Sequence, residues 1–302
     1  MIDPSSRFTL RQLSCFIATC ERGGIGAAAE HLHLAQATVS AALADLERAL
    51  GAQLLVRGRR RAATPSPAGR ELLAEARAVL AAAARLGERA ATLRGEVAGE
   101  LPVGCLVTLA PVVAPAVCRE FERRWPHAQV RLLPADQEAL LHWLGDGTIA
   151  LALTYDLGLD GDLDFRPLRP APPYAIVSGG HPLARRKGVS LHELAPLPLV
   201  LLDLPLSRTY FLDLFREAGV EPNVERSAAD PELVRSLVAQ GYGYSLANAR
   251  PAPTQAIDGA PLATVPVRRP ARAPQIGLAN RAGLSQTRSA DAFAEVCREL
   301  IR

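Results

Sequence analysis

The side chains near the start of the chain that could do chemistry are amides and hydroxyls set among alanines. Gln36, Thr38 and Ser40 stand beside Ala37 and Ala41, which are small enough to let another surface come close. Glutamine can pair with adenine through two hydrogen bonds, and hydroxyl groups can bond to bases or phosphates. The segment is therefore a candidate for reading the major groove of DNA.

A second chemically active cluster is an arginine run around Gly58, formed by Arg57, Arg59, Arg60 and Arg61. Guanidinium groups bind phosphate oxygens and also enter narrow minor grooves. We expect Arg57, Arg59 and Arg60 to contact either the phosphate backbone or a minor groove. An arginine run is also common on a solvated surface, so this cluster alone identifies no partner.

Hydrophobic spacing predicts the helices that carry these side chains. Apolar residues recur at intervals of three and four between Leu10 and Cys20, and Gly23 and Gly24 end that helix. A second short helix follows, and a third runs from about residue 36 to residue 50. These two helices should bury Ala28, Ala29, Leu32, Val39, Leu43, Leu46 and Leu50. Two short helices joined by a tight turn form a helix-turn-helix, whose second helix fits the major groove.

The segment after the third helix predicts a wing and a long helix. Residues 52–66 read as two short strands that turn at Gly58, and a helix then spans residue 68 to about residue 94. Its apolar positions alternate in steps of four and three, as in the seam of a coiled coil. The seam consists of Leu72, Ala76, Val79, Ala83, Leu86, Ala90 and Leu93. A helix packed on its own domain is the alternative, which the scarcity of large side chains disfavours.

From Leu101 onward, short apolar strands alternate with helices, a pattern typical of a parallel α/β sheet. Strands are predicted at residues 101–107, 129–134, 149–154, 174–178, 198–203, 244–248 and 275–280, and helices at 111–125, 137–145, 207–218, 231–240 and 285–301. Ligands bind such sheets at the carboxyl ends of the strands and at helix N-termini. The candidate ligand-binding residues at these positions are Thr108, Gln137, Thr154, Asp203, Ser207 and Arg208.

Some of these candidates also have a structural interpretation. Thr108 and Ser207 can cap helices, and Arg208 can pair with Asp203 or Asp230. An unpaired Arg208 at the binding site would favour an anionic ligand such as a small carboxylate. If Arg208 is paired, the chemical class of the ligand stays open.

The composition predicts a folded protein of two domains. The chain has 302 residues, a net charge of +3, 49% hydrophobic residues and 22% charged residues, which argues against disorder and against a membrane span. No continuous apolar segment follows a basic start, so we expect no secretory signal and a cytoplasmic location. The five cysteines have neither paired nor histidine-linked spacing, which predicts reduced thiols and no metal site.

Two other classes of protein remain to be weighed. The sequence has no nucleophile elbow, phosphate loop or zinc protease motif, so we predict no enzyme activity, no catalytic residues and no cofactor. A solute-binding transport protein would share an α/β binding domain, but it would lack residues 1–95 and carry an export signal. Both differences favour a DNA-binding regulator.

Several motifs occur in a characteristic order. They are "AAEHL", the turn "AQATVS", Leu46 and Glu47 followed by "LGAQLLVR", and "SPAG" at the start of the long helix. In this order they resemble the winged helix-turn-helix of LysR-type transcriptional regulators, although Ala41 stands where that family usually has arginine. The segments "TLAPVVAPAVCREFERRWPHAQVRL" and "HPLARRKGVSLHELAPLPLVLLD" resemble the effector-binding half of the same family. The similarity covers nearly the whole chain.

This resemblance implies an N-terminal all-α winged helix-turn-helix with a long linker helix, and a C-terminal α/β effector domain of periplasmic-binding-protein type with two subdomains. The expected domains are residues 1–66 for DNA binding, 67–95 for the dimerising linker helix, and 96–302 for the effector domain. Subdomain I would comprise about 101–167 and 268–302, and subdomain II about 168–267. The implied partners are double-stranded operator DNA, a small-molecule effector, a second copy in a homodimer or homotetramer, and RNA polymerase for an activator. No membrane partner is implied.

Overall fold

The computed structural model of the chain describes residues 8–57, 63–93, 97–159, 161–250, 254–268, 273–283 and 286–301. The side chains of Arg57, Arg85 and residues 88–93 lie outside the description. The chain divides into two compact units, one of residues 1–94 with 146–148 and one of residues 95–145 with 149–302. Within the described ranges, no helix is both long and apolar enough to cross a membrane.

The first unit begins with the helices α1 (Leu10–Arg22), α2 (Ile25–His31) and α3 (Gln36–Leu50). Thr9 caps α1, because its hydroxyl accepts a hydrogen bond from the Gln12 N–H and its own N–H donates to the Gln12 side chain. Gly23 ends α1 at a φ of 73°, a left-handed conformation that favours glycine. The three predicted helices are therefore confirmed. Leu50 is 37% exposed in the last turn of α3, so the prediction that it is buried was wrong.

A two-stranded wing follows, formed by the antiparallel strands β1 (Leu55–Arg57) and β2 (Ala63–Pro65). The carboxylate of Glu47 accepts hydrogen bonds from the N–H groups of Leu54, at 2.8 Å, and Leu55, at 3.1 Å. This side chain on α3 therefore fixes where the wing begins. The predicted turn between the strands lies outside the described residues.

The long helix α4 (Pro67–Leu93) is docked at its first turn. The Ser66 hydroxyl accepts from the Gly69 N–H at 2.9 Å and donates to the Gln53 carbonyl at 2.6 Å. A Cβ atom at residue 69 would lie only 2.0 Å from the carbonyl oxygen of Leu54. The "SPAG" motif therefore combines a cap, a proline suited to the first turn and a glycine that permits close approach.

The predicted coiled-coil seam on α4 does not run along one continuous free surface. Ala76 is 6% exposed within the core of the first unit, and Leu72 packs partly against that core. Because Ala76 is buried within its own chain, its assignment to a dimer interface was wrong. Further along, Val79 is 42% exposed and Leu86 is 72% exposed, with Ala83 half-buried between them. The side chains of Ala90 and Leu93 lie outside the description.

The second unit contains ten strands and six helices among its described residues. The strands are β3 (Gly99–Leu106), β4 (Ala128–Ala135), β5 (Leu151–Tyr155), β6 (Leu163–Pro170), β7 (Tyr174–Ser178), β8 (Pro198–Leu202), β9 (Asn223–Ala228), β10 (Ser245–Ala247), β11 (Leu262–Pro266) and β12 (Gln275–Arg281). The helices are α5 (Ala110–Arg124), α6 (Gln137–Asp146), α7 (Leu191–Leu194), α8 (Ser207–Glu217), α9 (Pro231–Ala239) and α10 (Arg288–Leu300), and a 3-10 helix spans Pro182–Arg185.

The strands form mixed sheets, so the prediction of a parallel sheet was only partly right. In the five-stranded sheet β4-β3-β5-β12-β6, strands β3, β4 and β5 are parallel, whereas β12 runs antiparallel to both neighbours. Strand β7 is the centre of the antiparallel sheet β10-β7-β11, and β8 pairs in parallel with β9. Hydrophobic patterning indicates the type of an element but not the direction in which a strand returns to its sheet.

Three strands were missed from the sequence, namely β6, β9 and β11. Strand β6 contains two prolines in "LDFRPLRP", and it lies at the edge of its sheet, where proline is tolerated. Strand β9 is almost fully exposed and carries the charged residues Glu225 and Arg226. Edge strands that lack a continuous apolar face give only a weak pattern in the sequence.

Candidate functional sites

The first turns of α3 present the side chains predicted to read DNA. Gln36, Ala37, Thr38 and Ala41 are exposed, and Ser40 is half-buried beside them. Val39 is buried on the opposite side of the helix. The Gln36 amide lies next to Gly26. A Cβ atom added at Gly26 would come within 3.2 Å of the Nε2 atom of Gln36. The structure therefore brings these five residues together on one accessible end of α3.

The arginines of the wing can be located only in part. The backbone of Arg57 pairs with Ala63 in the wing, and its side chain lies outside the description. Arg59 and Arg60 lie outside the described residues. Their contacts with DNA remain predictions.

A cavity of about 380 Å³ lies in the second unit and is lined by residues of both larger sheets and of three helices. Two predicted residues line it, Thr108 at the end of the segment after β3 and Ser207 at the start of α8. Helices α5, α8 and α9 all begin at its wall. A cleft with this volume is large enough for a small organic molecule.

Gln137 and Thr154 belong to the core rather than to the pocket. The Gln137 amide nitrogen donates to the carbonyls of Tyr155, at 3.1 Å, and Leu157, at 2.8 Å, while its oxygen accepts from the Thr154 hydroxyl. Gln137 is 2% exposed and Thr154 is fully buried. Neither side chain lines the pocket, because their polar groups form the hydrogen bonds that hold α6 against β5.

Asp203 and Arg208 lie outside the pocket lining and pair with each other, with Nη1 of Arg208 3.1 Å from Oδ1 of Asp203. Their contact with the effector stays a prediction. The sequence analysis offered this ion pair as one of two alternatives for Arg208. With Arg208 paired, the sequence does not indicate the chemical class of the effector. Leu206, which lies between these two residues in the chain, has a φ of 61° and a ψ of −38°. The Ser207 N–H donates to the Pro205 carbonyl at 2.7 Å. This is a γ-turn of the strained kind, placed where α8 enters the pocket wall.

Several pocket residues were not identified from the sequence. Tyr155 follows Thr154 on β5, and because side chains alternate along a strand, Tyr155 lines the pocket while Thr154 faces the opposite side. Ser245 on β10 and Arg235 on α9 also line it. The alternation along β5 was a usable signal for Tyr155, whereas Ser245 lies far along the chain and carried none.

The five thiols are disfavoured as thiolates. Burial raises the pKa of Cys20 and of Cys118 to about 11 and that of Cys105 to about 12. Burial also raises the pKa of Cys15 and Cys297. No cysteine lines the pocket among the residues described there, and within the described part of the chain no three His, Cys, Asp or Glu side chains converge as around a metal ion.

Known families match both units of the chain. Residues 10–70 match the family described as bacterial regulatory helix-turn-helix protein, lysR family. Residues 94–302 match the LysR substrate binding domain. The two matches together span most of the sequence.

Three similar proteins illustrate this relationship. A probable hydrogen peroxide-inducible genes activator from Mycobacterium leprae is 31% identical over 303 residues, which cover 100% of this chain and 97% of the relative. HinK, a LysR family transcriptional regulator from Pseudomonas aeruginosa, has a sequence 32% identical to this chain. Its crystal structure superimposes with a TM-score of 0.65, and the match covers 97% of this chain and 99% of HinK. Full-length CbnR in complex with its target DNA is 27% identical with a TM-score of 0.57, covering 98% of this chain and 100% of CbnR.

Proposed function

Because the chain belongs to the LysR family of DNA-binding transcriptional regulators with an effector-binding domain, we propose that α3 reads its operator and that the pocket of the second unit binds its effector. The observation that carries the first part is the accessible cluster of Gln36, Thr38 and Ser40 at the start of α3. A helix end of this kind reaches base edges in the major groove. The wing arginine Arg57 supplies a contact to phosphate or to a minor groove.

The protein acts as an oligomer. Two helix-turn-helix units are needed to read two half-sites in successive major grooves, and the exposed side chains of Val79 and Leu86 on α4 provide an apolar surface for a second copy. The effector changes operator occupancy only if it binds the two states of this assembly with different affinity. As an activator, the oligomer would also contact RNA polymerase. We place it in the cytoplasm, where its DNA is, and assign it no catalytic role.

The peroxide response named for the M. leprae relative does not transfer readily to this chain. Hydrogen peroxide acts on cysteine through the thiolate. The thiols here have raised pKa values because of burial, and none lines the pocket. A reversibly bound small molecule is therefore the better-supported signal.

The DNA-reading surface can be tested with duplexes selected from a random library by the purified full-length protein. Gln36→Ala should weaken binding to the selected operator by ~1–3 kcal/mol and barely change binding to a scrambled duplex, because one matched base contact is lost.

Arg57→Ala should weaken binding to both duplexes and reduce the magnitude of the salt slope by about one per DNA-binding unit.

Titrations of each variant at several salt concentrations provide the measurement. Gln129→Ala is the matched control, since it removes an exposed glutamine from β4 in the other unit and should behave as the wild type. Unchanged affinity and salt slope in both Gln36→Ala and Arg57→Ala would reject α3 and the wing as the DNA-reading surface.

A further inference from the structure

The walls of the effector pocket are mainly apolar. Val107, Leu157, Ile176, Phe211 and Val234 are among the side chains that line it. Water against such walls is displaced favourably by apolar groups, and a cavity of about 380 Å³ suits a small organic molecule. Most of the ligand surface in this pocket is therefore expected to be apolar.

The charged groups in the lining do not favour an anion. Asp230, Glu232 and Arg235 are the charged residues among those described in the pocket wall, two of them acidic. Nη2 of Arg235 donates to the Gln255 carbonyl at 2.7 Å, and its Nε lies 3.4 Å from a carboxylate oxygen of Glu232. The cation of the wall is thus already paired, so a carboxylate ligand would meet Asp230 without a free counter-charge.

The helices that begin at the pocket add few donors for an anion. Pro111 and Pro231, in the first turns of α5 and α9, have no N–H group. At the start of α8, the Ser207 N–H donates to Pro205 and the Arg208 N–H donates to Leu204 at 2.9 Å. The γ-turn uses the Ser207 N–H and the bond to Leu204 uses the Arg208 N–H, so neither group is free for an anionic ligand.

Two deeply buried hydroxyl groups in the wall have no hydrogen-bond partner among the described residues. They belong to Tyr155, which is 6% exposed, and Ser245, which is 1% exposed. Burial is the main influence on the Tyr155 pKa; the Thr108 side chain lowers this pKa as a hydrogen-bonding neighbour, although the two hydroxyls do not meet the geometry of a hydrogen bond in the structure. Burial dominates and raises the Tyr155 pKa, so the phenol stays neutral and can donate.

Two other polar side chains of the wall already have hydrogen-bond partners. The Tyr174 hydroxyl donates to the Ala249 carbonyl, and the Asn248 amide donates to the Ala171 carbonyl at 2.7 Å. Buried hydroxyls without a partner are unfavourable and unusual in folded proteins. Tyr155 and Ser245 thus differ from Tyr174 and Asn248 in having buried hydroxyl groups available to a ligand.

We infer that the effector is a neutral, largely apolar molecule whose polar groups bond to Tyr155 and Ser245. This inference rests on the proposed function, since it names the chemical class that the effector pocket accepts. Tyr155 belongs to β5 of the five-stranded sheet and Ser245 to β10 of the three-stranded sheet. A ligand bonded to both hydroxyls links the two sheets, which gives binding a direct means of changing their separation.

Matched pairs of neutral and anionic compounds test this inference. The pairs are 4-hydroxybenzamide with 4-hydroxybenzoate, 6-hydroxy-2-naphthamide with 6-hydroxy-2-naphthoate, and indole-3-acetamide with indole-3-acetate. Isothermal titration calorimetry with the full-length protein should show the amide binding more tightly than the carboxylate in each pair that binds. Tyr155→Phe and Ser245→Ala should each weaken amide binding by roughly 3- to 10-fold, the usual effect of losing one hydrogen bond.

Tyr244→Phe is the matched control. The Tyr244 hydroxyl is also buried and without a partner, but Tyr244 does not line the pocket, so its removal should leave amide binding unchanged. Tighter binding of the carboxylates, no binding of any pair, or equal effects of all three substitutions would overturn the inference. Operator titration of the same variants without ligand distinguishes this failure from that of the proposed function, because normal operator binding leaves the regulator assignment intact.

Discussion

At the scale of single residues, the burial of the five cysteine side chains determines how fast they react with oxidants and thiol reagents. Cys15, Cys105 and Cys297 are buried, whereas Cys20 and Cys118 are half-buried. Burial raises the pKa of the latter two to about 11, so their reactive thiolates form only as the pH rises towards that value. Near neutral pH, every thiol should be a poor nucleophile.

We expect the folded protein to react with Ellman's reagent at pH 7.5 much more slowly than free cysteine does. Cys20 and Cys118 should react first and faster with increasing pH, because a raised pKa keeps them protonated at neutral pH. Unfolding in guanidinium chloride should release all five thiols at once. Cys20→Ser and Cys118→Ser serve as controls that remove the faster phase. A native thiol that reacts as fast as free cysteine would contradict this assignment.

At the scale of secondary-structure elements, the close contact between α4 and the wing holds the helices and strands of the first unit together. Ser66 caps α4 while bonding to the Gln53 carbonyl, and Glu47 holds the start of β1 from α3. Gly69 lets the helix backbone approach Leu54. These contacts connect α3, the wing and α4 within the first unit, so a change at their junction should disturb all three elements.

Gly69→Ala should destabilise the first unit by ~1–3 kcal/mol, because the new Cβ would collide with a backbone carbonyl that cannot move independently. Gly87→Ala is the control on the same helix. Among the described atoms, none lies within 4 Å of a Cβ at Gly87, so this change should stabilise α4 by roughly 0.5–1 kcal/mol through helix propensity. Urea unfolding followed by circular dichroism measures both effects. The assignment fails if the two variants unfold alike.

At the scale of the whole molecule, the question is how copies of the chain associate. The exposed apolar side chains of α4 are the most direct indication of a surface for this association. Val79 and Leu86 lie seven residues apart and are 42% and 72% exposed, which places them on one face of the helix. Large apolar side chains on one exposed face of a helix commonly mark a contact with another chain. Ala76 does not belong to this surface, since it is buried in the first unit.

The double substitution Val79→Asp with Leu86→Asp should dissociate the protein and abolish tight operator binding. Burying unpaired like charges across an interface costs several kcal/mol, while two exposed aspartates hardly affect the isolated chain. Ala84→Asp is the control, because this exposed residue lies on a different face of α4. Sedimentation velocity at micromolar concentration provides the measurement. An intact oligomer of the double variant would remove Val79 and Leu86 from the interface.

The sequence by itself determined the helices of the first unit, the wing and the general succession of strands and helices. Capping by Thr9, the glycine stop at Gly23 and the apolar spacing of α1 and α3 act between residues that are close in the chain. Such local interactions leave a readable pattern. Thr108 follows a predicted strand and Ser207 begins a predicted helix, and both line the pocket.

Only the tertiary structure decided which polar groups are free for a ligand. Gln137 and Thr154 satisfy each other in the core, and Asp203 pairs with Arg208, so these four candidates do not line the pocket. Tyr155 and Ser245 meet at the pocket although they come from distant strands. The direction of β12 and the burial of Ala76 were likewise set by segments far away in the chain. Burial and pairing depend on contacts that form only when those segments pack, and no local spacing records them.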